Sequence, residues 1–338
     1  MKLIECIPNF SEGRDTAIIE RIADSIKSVD GVNLLHTDIG YDANRSVMTF
    51  VGSPDGVVEA AFRAIQCAGE LIDMRKQKGE HPRIGATDVC PLVPISEVNM
   101  EEVVELSVIL AERVYNELSI PVFLYEKSAN NESRRKLEHI RKGEYEGLAG
   151  RMENDGYKAD YGTNKFNYTT GCTVIGARDF LIAFNVNLST KSTAIAKEIA
   201  CRIRESGSTS LSAEKLLRLK GLKAIAWYIE EYKCLQVSTN ITDTSVLTLF
   251  DVYESIRILA KEYETDVSGS ELIGLLPLKV ILDSGKKYAE KEQVTATSTE
   301  QLISLAIQKL GLNSVVPFNP QERILDLLCS SLSIRTPK

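Results

Sequence analysis

The chain has 338 residues, a mass of 37.4 kDa and a formal net charge of -7, enough for about two domains with their own cores. Hydrophobic residues at 43%, charged residues at 26% and a mean hydropathy of -0.09 exclude collagen-like, disordered and integral-membrane classes. The acidic balance argues against a general grip on nucleic acid, which needs clustered Lys and Arg, so an anionic ligand would require a local basic patch.

From the N-terminus, Glu5 and Pro8 interrupt any apolar leader, and no run approaches the roughly 18 apolar residues of a membrane span. A cytoplasmic protein is expected. An apolar strand over residues 3–9 leads to Ser11, a candidate N-cap, and to a helix with Ile18, Ile19, Ile22, Ala23 and Ile26 at a period near 3.6. Strands at 32–38 and 46–51 flank a polar, turn-rich link, Pro54 opens a second helix, and a strand over 89–93 completes the order βαββαβ. A helix over 100–117, a strand at 121–125, a charged stretch at 132–146 and a polar segment at 155–170 follow.

The second half repeats the order. A strand at 180–187 runs into Ser189 as a candidate N-cap, then a helix, strands at 224–229 and 234–239, a helix over 245–263 and a strand at 272–276. Pro8-Asn9-Phe10-Ser11 is echoed by Val186-Asn187-Leu188-Ser189. The repeated order predicts an α+β protein of two ferredoxin-like subdomains, each an antiparallel sheet with helices on one face, with a groove between the two. The expected divisions are 1–179, 180–290 and a tail over 291–338. In that tail residues 286–300 read as a polar linker, and Leu302, Ile303, Ala306, Ile307 and Leu310 as a short amphipathic helix.

Seven scattered cysteines without a C-x-x-C pair read as reduced, buried thiols, and no metal site is expected. Of the three histidines, His139 lies in a charged helix and reads as solvated, and His36 shares a strand face with Asp38. His81 stands in a loop that also carries Arg75, Lys76, Lys78 and Arg83, a concentration of cations suited to substrate carboxylates. Phosphate-binding, dinucleotide-binding, zinc-protease and nucleophile-elbow motifs are missing.

Several long strings carry a resemblance: Glu5-Cys6-Ile7-Pro8-Asn9-Phe10-Ser11-Glu12-Gly13, the run from Asn44-Arg45 to Gly52, Glu80-His81-Pro82-Arg83-Ile84-Gly85-Ala86-Thr87-Asp88-Val89-Cys90-Pro91, and the run from Gly176 to Leu188. Together they resemble the glutamate formimidoyltransferase family over residues 3 to about 290. The resemblance implies two ferredoxin-like subdomains facing across a substrate tunnel, a homodimer, and a form without a cyclodeaminase domain. It also implies transfer of the formimidoyl group between N-formimidoyl-L-glutamate and tetrahydrofolate, in histidine breakdown, with no metal. The family's catalytic histidine falls on His81 and a family aspartate on Asp38. Its folate segment falls on Gly162, Thr163, Asn164, Lys165, Phe166, Asn167, Tyr168, Thr169, Thr170 and Gly171. Relatives often carry an acid where this chain has His36, which makes the field at Asp38 less negative here.

An imidazole can take the proton of an attacking nitrogen and return one to the leaving amine, a role worth about 10² to 10⁴ in rate. Asp38 would orient that ring or hold the cationic amidine, and Phe166 and Tyr168 are candidates to stack on the pteridine. The alternatives are formyl transfer from 5-formyltetrahydrofolate to glutamate, and a folate-binding protein without turnover.

Overall fold

A computed structural model describes residues 2–153, 157–162 and 165–332. The chain divides after Arg178 into two compact units. In the first, β1 (Leu3–Cys6) and β2 (Asn9–Phe10) form one interrupted strand line, broken at Ile7-Pro8. Helix α1 (Thr16–Lys27) leads to the hairpin of β3 (Asn33–Gly40) and β4 (Arg45–Gly52), and α2 (Pro54–Leu71) leads to β5 (Thr87–Ser96). The broken strand lies between β4 and β5 and is antiparallel to both, with β3 outside β4. Two βαβ units are therefore split and interleaved. After α3 (Met100–Leu118), β6 (Val122–Leu124), α4 (Leu137–Ile140) and α5 (Glu144–Met152), β7 (Thr173–Ala177) pairs in parallel with β5, and β6 with β7. Periodicity does not reveal β7, because five buried residues in a parallel strand show no alternation.

Ile22 and Ile26 of α1, Val57, Ala61 and Ile65 of α2, and Leu110 and Val114 of α3 pack on Ile4, Phe10, Met48 and Phe50 of the sheet. A smaller cluster around Ile84, Phe123, Ile140, Leu148 and Val174 forms a second core. Asp15 caps α1, its carboxylate accepting from the Ala17 and Ile18 amides, where Ser11 had been expected. Ser11 instead donates its hydroxyl to the Gly85 carbonyl at 2.7 Å.

The second unit comprises β8 (Ile182–Leu188), α6 (Thr193–Ile203), β9 (Leu222–Ile229), β10 (Cys234–Ile241), α7 (Leu249–Glu262) and β11 (Val267–Ile273), with sheet order β11-β8-β10-β9. First strand beside third and fourth, second outside third: the arrangement matches that of the first unit. Ser192, not Ser189, caps α6. Helix α8 (Leu278–Glu292) takes in residues 286–292 of the stretch that reads as linker. Lys287 and Lys291, one turn apart, reach Asp251 and Glu254 of α7, so the polar residues serve a helix–helix contact. Helix α9 (Thr299–Leu310) crosses α8 where a Cβ on Gly285 would stand 2.4 Å from the Leu302 carbonyl oxygen. Short helices α10 (Pro320–Arg323) and α11 (Leu325–Ser331) follow. No helix among the described residues is long and apolar enough to cross a membrane, and all seven cysteines are free thiols.

Candidate active site

A register shift in the first hairpin sets which side chains leave the core. Leu34 pairs with Phe50 on the helix-covered face, but a bulge follows, and His36 pairs with Thr49 and Asp38 with Val47. The extra residue turns His36 and Asp38 onto the face away from α1 and α2. Gly40 pairs with Arg45, so Arg45 is the diagonal neighbour of Asp38 on that face. His36 Nε2 lies 3.1 Å from Asp38 Oδ1.

The loop bearing His81 is stitched to the tip of this hairpin. Asn44, in the left-handed region at φ 45°, donates its amide to the Lys78 carbonyl, and Gln77 donates to the Asn44 carbonyl. Gly79 lies so close that a Cβ there would meet the Ala43 carbonyl oxygen at 2.3 Å. On its other side the loop joins the end of the expected folate segment. Gly85 and Gly171 form a β-bridge, the Ala86 amide donates to the Thr170 carbonyl, and the Cys172 amide to that of Ile84. A Cβ on Gly85 would stand 2.0 Å from the Cys172 carbonyl oxygen, which only glycine permits.

Where these elements meet, charged groups surround one imidazole. His81 Nδ1 lies 2.8 Å from the Pro82 carbonyl oxygen, and Nε2 contacts Arg45 Nη1. Burial, and then the cations Arg45 and Arg141, hold the imidazole pKa well below its ordinary 6.5. Burial, followed by Arg141, pushes the Arg45 guanidinium down to about 10, while Asp88 and Asp38 oppose the shift. Asp88 is fully buried, accepts from the Ile84 amide and pairs with Arg141, which follows α4. Arg45 and Arg141 thus face the imidazole, with Asp38 and Asp88 set against Arg45.

The flanking candidates fall into place unevenly. Phe166 packs edge-on against Tyr168, centroids 5.0 Å apart, and against Tyr145 at 5.4 Å. Tyr168 is 60% exposed, leaving an aromatic surface open beside the His81 loop. Asn167 accepts from the Thr169 and Thr170 amides with its side chain and shapes the turn to Gly171. Gly162 sits at φ 139° against Pro121, Lys165 is exposed, and Thr163 and Asn164 lie outside the described residues. Among the loop cations, Arg75 pairs with Asp73 through two nitrogens, and buried Arg83 spends its guanidinium on Gln77, Glu144 and Glu146. Lys76, 85% exposed at its side chain, lies 3.8 Å from Asp73, and Lys78 lines a cavity of about 450 Å³ with Arg83 and Glu146. His139 is exposed on α4. Among the described residues no group of three or more His, Cys, Asp or Glu is placed to hold a metal ion.

Residues 3–178 match the formiminotransferase domain, N-terminal subdomain, and residues 183–330 match the formiminotransferase domain. The chain belongs to the formiminotransferase family. It is 43% identical over 291 residues to the glutamate formimidoyltransferase of Streptococcus pyogenes serotype M1, covering 86% of this chain and 94% of the relative. It is 40% identical to that of Thermoplasma acidophilum, covering 86% and 93%. It is also 45% identical over 328 residues to the formimidoyltransferase-cyclodeaminase of Rattus norvegicus, covering 97% of this chain. The chain spans about 60% of the length of that relative, and matches only its transferase part.

The sequence of this formiminotransferase-family chain does not mark Arg45 or Arg141, although Asp88 carries a signal. Asp88 is a charge inside the apolar run around Val89 and Cys90, a position where carboxylates are seldom found unpaired. Arg45 opens a strand directly after a turn. Arg141 stands among other charges in the 134–142 stretch, and nothing in the local pattern marks it.

Proposed function

We propose that this chain transfers the formimidoyl group between N-formimidoyl-L-glutamate and tetrahydrofolate, giving 5-formimidoyltetrahydrofolate and L-glutamate. The observation that carries the proposal is the position of His81. In a chain of the formiminotransferase family, this imidazole contacts Arg45 of the charged hairpin, and its loop is bridged at Gly85 and Gly171 to the segment that carries the Phe166–Tyr168 aromatic pair. Tetrahydrofolate enters as co-substrate, and the exposed ring of Tyr168 suits a planar heterocycle. The family likeness extends the proposal to a homodimer acting in the cytoplasm in histidine breakdown.

The chemistry forms a bond from N5 of the folate to the amidine carbon and breaks the bond from that carbon to the glutamate nitrogen. N5 loses a proton and the leaving amine gains one. His81 takes the first and supplies the second, which requires that it start neutral, and its depressed pKa favours that state. Because Nδ1 faces a carbonyl oxygen, which only accepts, Nδ1 carries the proton and Nε2 is the basic nitrogen. Asp38, beside Arg45, is placed to balance positive charge, including that of the amidine. Lys76 and Lys78 are the loop cations most open to substrate carboxylates: Arg75 and Arg83 hold carboxylates at 2.8 and 2.6 Å, whereas Lys76 is 85% exposed with Asp73 no nearer than 3.8 Å, and Lys78 is exposed. Two substrates held together supply the orientational gain that complements proton transfer.

The test is steady-state transfer from N-formimidoyl-L-glutamate to tetrahydrofolate by the wild-type chain and by His81→Ala. A loss of at least about a hundredfold in a folded variant is expected. Near-normal turnover removes His81 from the chemistry. A wild type active only with 5-formyltetrahydrofolate and glutamate replaces formimidoyl by formyl transfer, and one inactive with both donors replaces transfer by folate binding.

A further inference from the structure

The nitrogen that must accept the proton is occupied. His81 Nε2 meets the Arg45 guanidinium, and the carbonyl of Pro82 fixes the proton on Nδ1, so the ring is pinned at both nitrogens. A protonated imidazole could not accept from Arg45, so the contact itself selects the neutral ring. Arg45 is in turn held by its surroundings. It begins β4, Asp38 lies diagonally across the hairpin on β3, Asp88 comes from β5, and Arg141 after α4 repels it while pairing with Asp88. The charges facing His81 are therefore Arg45 and Arg141, with Asp38 and Asp88 acting on Arg45, and Lys78 and Glu80 exposed in the same loop.

We propose that Arg45 is a positioning residue for His81: it caps the basic nitrogen in the resting site and yields that place to the substrate's amidinium. The two cations are alike in the features that matter. Both are planar, delocalised groups with N–H donors at trigonal angles, so a site that offers an imidazole nitrogen and nearby carboxylates to one suits the other. With the cap in place, His81 is kept neutral and aimed. Once the amidinium takes the carboxylate field of Asp38, Arg45 shifts from Nε2 and the lone pair becomes available to the attacking nitrogen. The inference rests on His81 as the proton carrier but has its own readout.

That readout is the imidazole nitrogen spectrum of the ¹⁵N-labelled full chain, in which only three histidines contribute. His139→Gln and His36→Gln assign the His81 signals. The wild type is expected to show a single Nδ1–H tautomer from about pH 6 to about pH 8. Arg45→Met is expected to raise the His81 proton affinity at least about tenfold, with the acid limb of the kcat/KM profile moving by the same amount. Arg45→Lys, which restores charge without the planar fork, should recover the neutral ring but only part of kcat. Adding N-formimidoyl-L-glutamate to the wild type should move the Nε2 signal as Arg45→Met does. An Nε2 signal that is the same in wild type, Arg45→Met and Arg45→Lys, with native amide spectra, overturns the inference. If Arg45→Met does not fold, Arg45→Gln, which also removes the charge, takes its place: a raised His81 proton affinity supports the inference and an unchanged Nε2 signal overturns it. The two readings separate cleanly: an active His81→Ala with a signal that responds to Arg45 sinks the catalytic reading alone. An inactive His81→Ala with an unresponsive signal sinks the cap alone.

Discussion

Single residues on the first sheet carry charges that folding would normally exclude, and their titration shows in stability. Glu5, only 3% exposed, has one carboxylate oxygen, Oε2, without a hydrogen-bond partner among the described residues. Burial pushes its pKa up to about 7 from 4.5, and Arg178 opposes the shift. A raised carboxyl pKa means that the folded state binds the proton more tightly than the unfolded chain. The stabilisation is complete below about 4.5 and is lost as pH rises through about 7, a change of about 3 kcal/mol. His81, with its pKa depressed, acts in the opposite sense: its contribution is present above about 6.5 and is lost as pH falls below it. Glu5→Gln is expected to remove the carboxyl's share and leave the histidine's, so the variant should exceed the wild type in stability at about pH 8. Urea unfolding at about pH 5 and about pH 8 checks this, and an unchanged wild-type slope in Glu5→Gln would refute it. Among the residues of the candidate site, His81 and Asp38 were marked in the sequence by loop composition and by the family resemblance. Arg45 and Arg141 were not, since a cation reads as solvated until its neighbours are known.

At the level of elements, the site depends on backbone approaches that leave no room for a side chain. The bridge between Gly85 and Gly171 ties the His81 loop to the aromatic segment, and Gly171 itself adopts φ 67°. Gly85→Ala would drive its Cβ into backbone, so the loop must part from the segment. A lowered melting temperature together with a loss of transfer activity is expected. Gly147, inside α5, has open space at its Cβ position, and alanine there should raise stability by about 0.5–1 kcal/mol through helix propensity. Calorimetry of both variants tests the contrast, and two equal shifts would contradict it. The strands and helices of the two βαββαβ repeats were legible from periodicity, whereas β7 and α8 were not. The bulge after Leu34, which decides the face of Asp38, was not, because two-residue alternation assumes an unbroken register. The run 286–292 reads as linker for a related reason: Lys287 and Lys291 face α7 carboxylates 36 and 37 residues away in sequence.

For the whole molecule, the two units keep separate hydrophobic cores, one built on Met48 and Phe50 and the other on Phe184 and Val186. Truncating fully buried Phe184 to alanine should cost about 3–5 kcal/mol, felt in the core of the second unit. Hydrogen exchange should then accelerate in β8–β11 amides well before those of β1–β5. Uniform acceleration across both sheets would show that the cores open as one. All the residues of the candidate site described above belong to the first unit, so Phe184→Ala should leave the His81 nitrogen signals in place under conditions where the first unit is folded.

The sequence alone determined the class of protein, the repeated βαββαβ order, the family and the histidine, because patterning and long strings are local in the chain. Tertiary structure decided which charges meet that histidine. Arg45 on β4 and Arg141 after α4 lie far apart along the chain, and both face His81 once its loop is fastened to the hairpin tip and Arg141 is paired with Asp88. Electrostatic energy depends on distance in space and on burial, and neither is written in residue order.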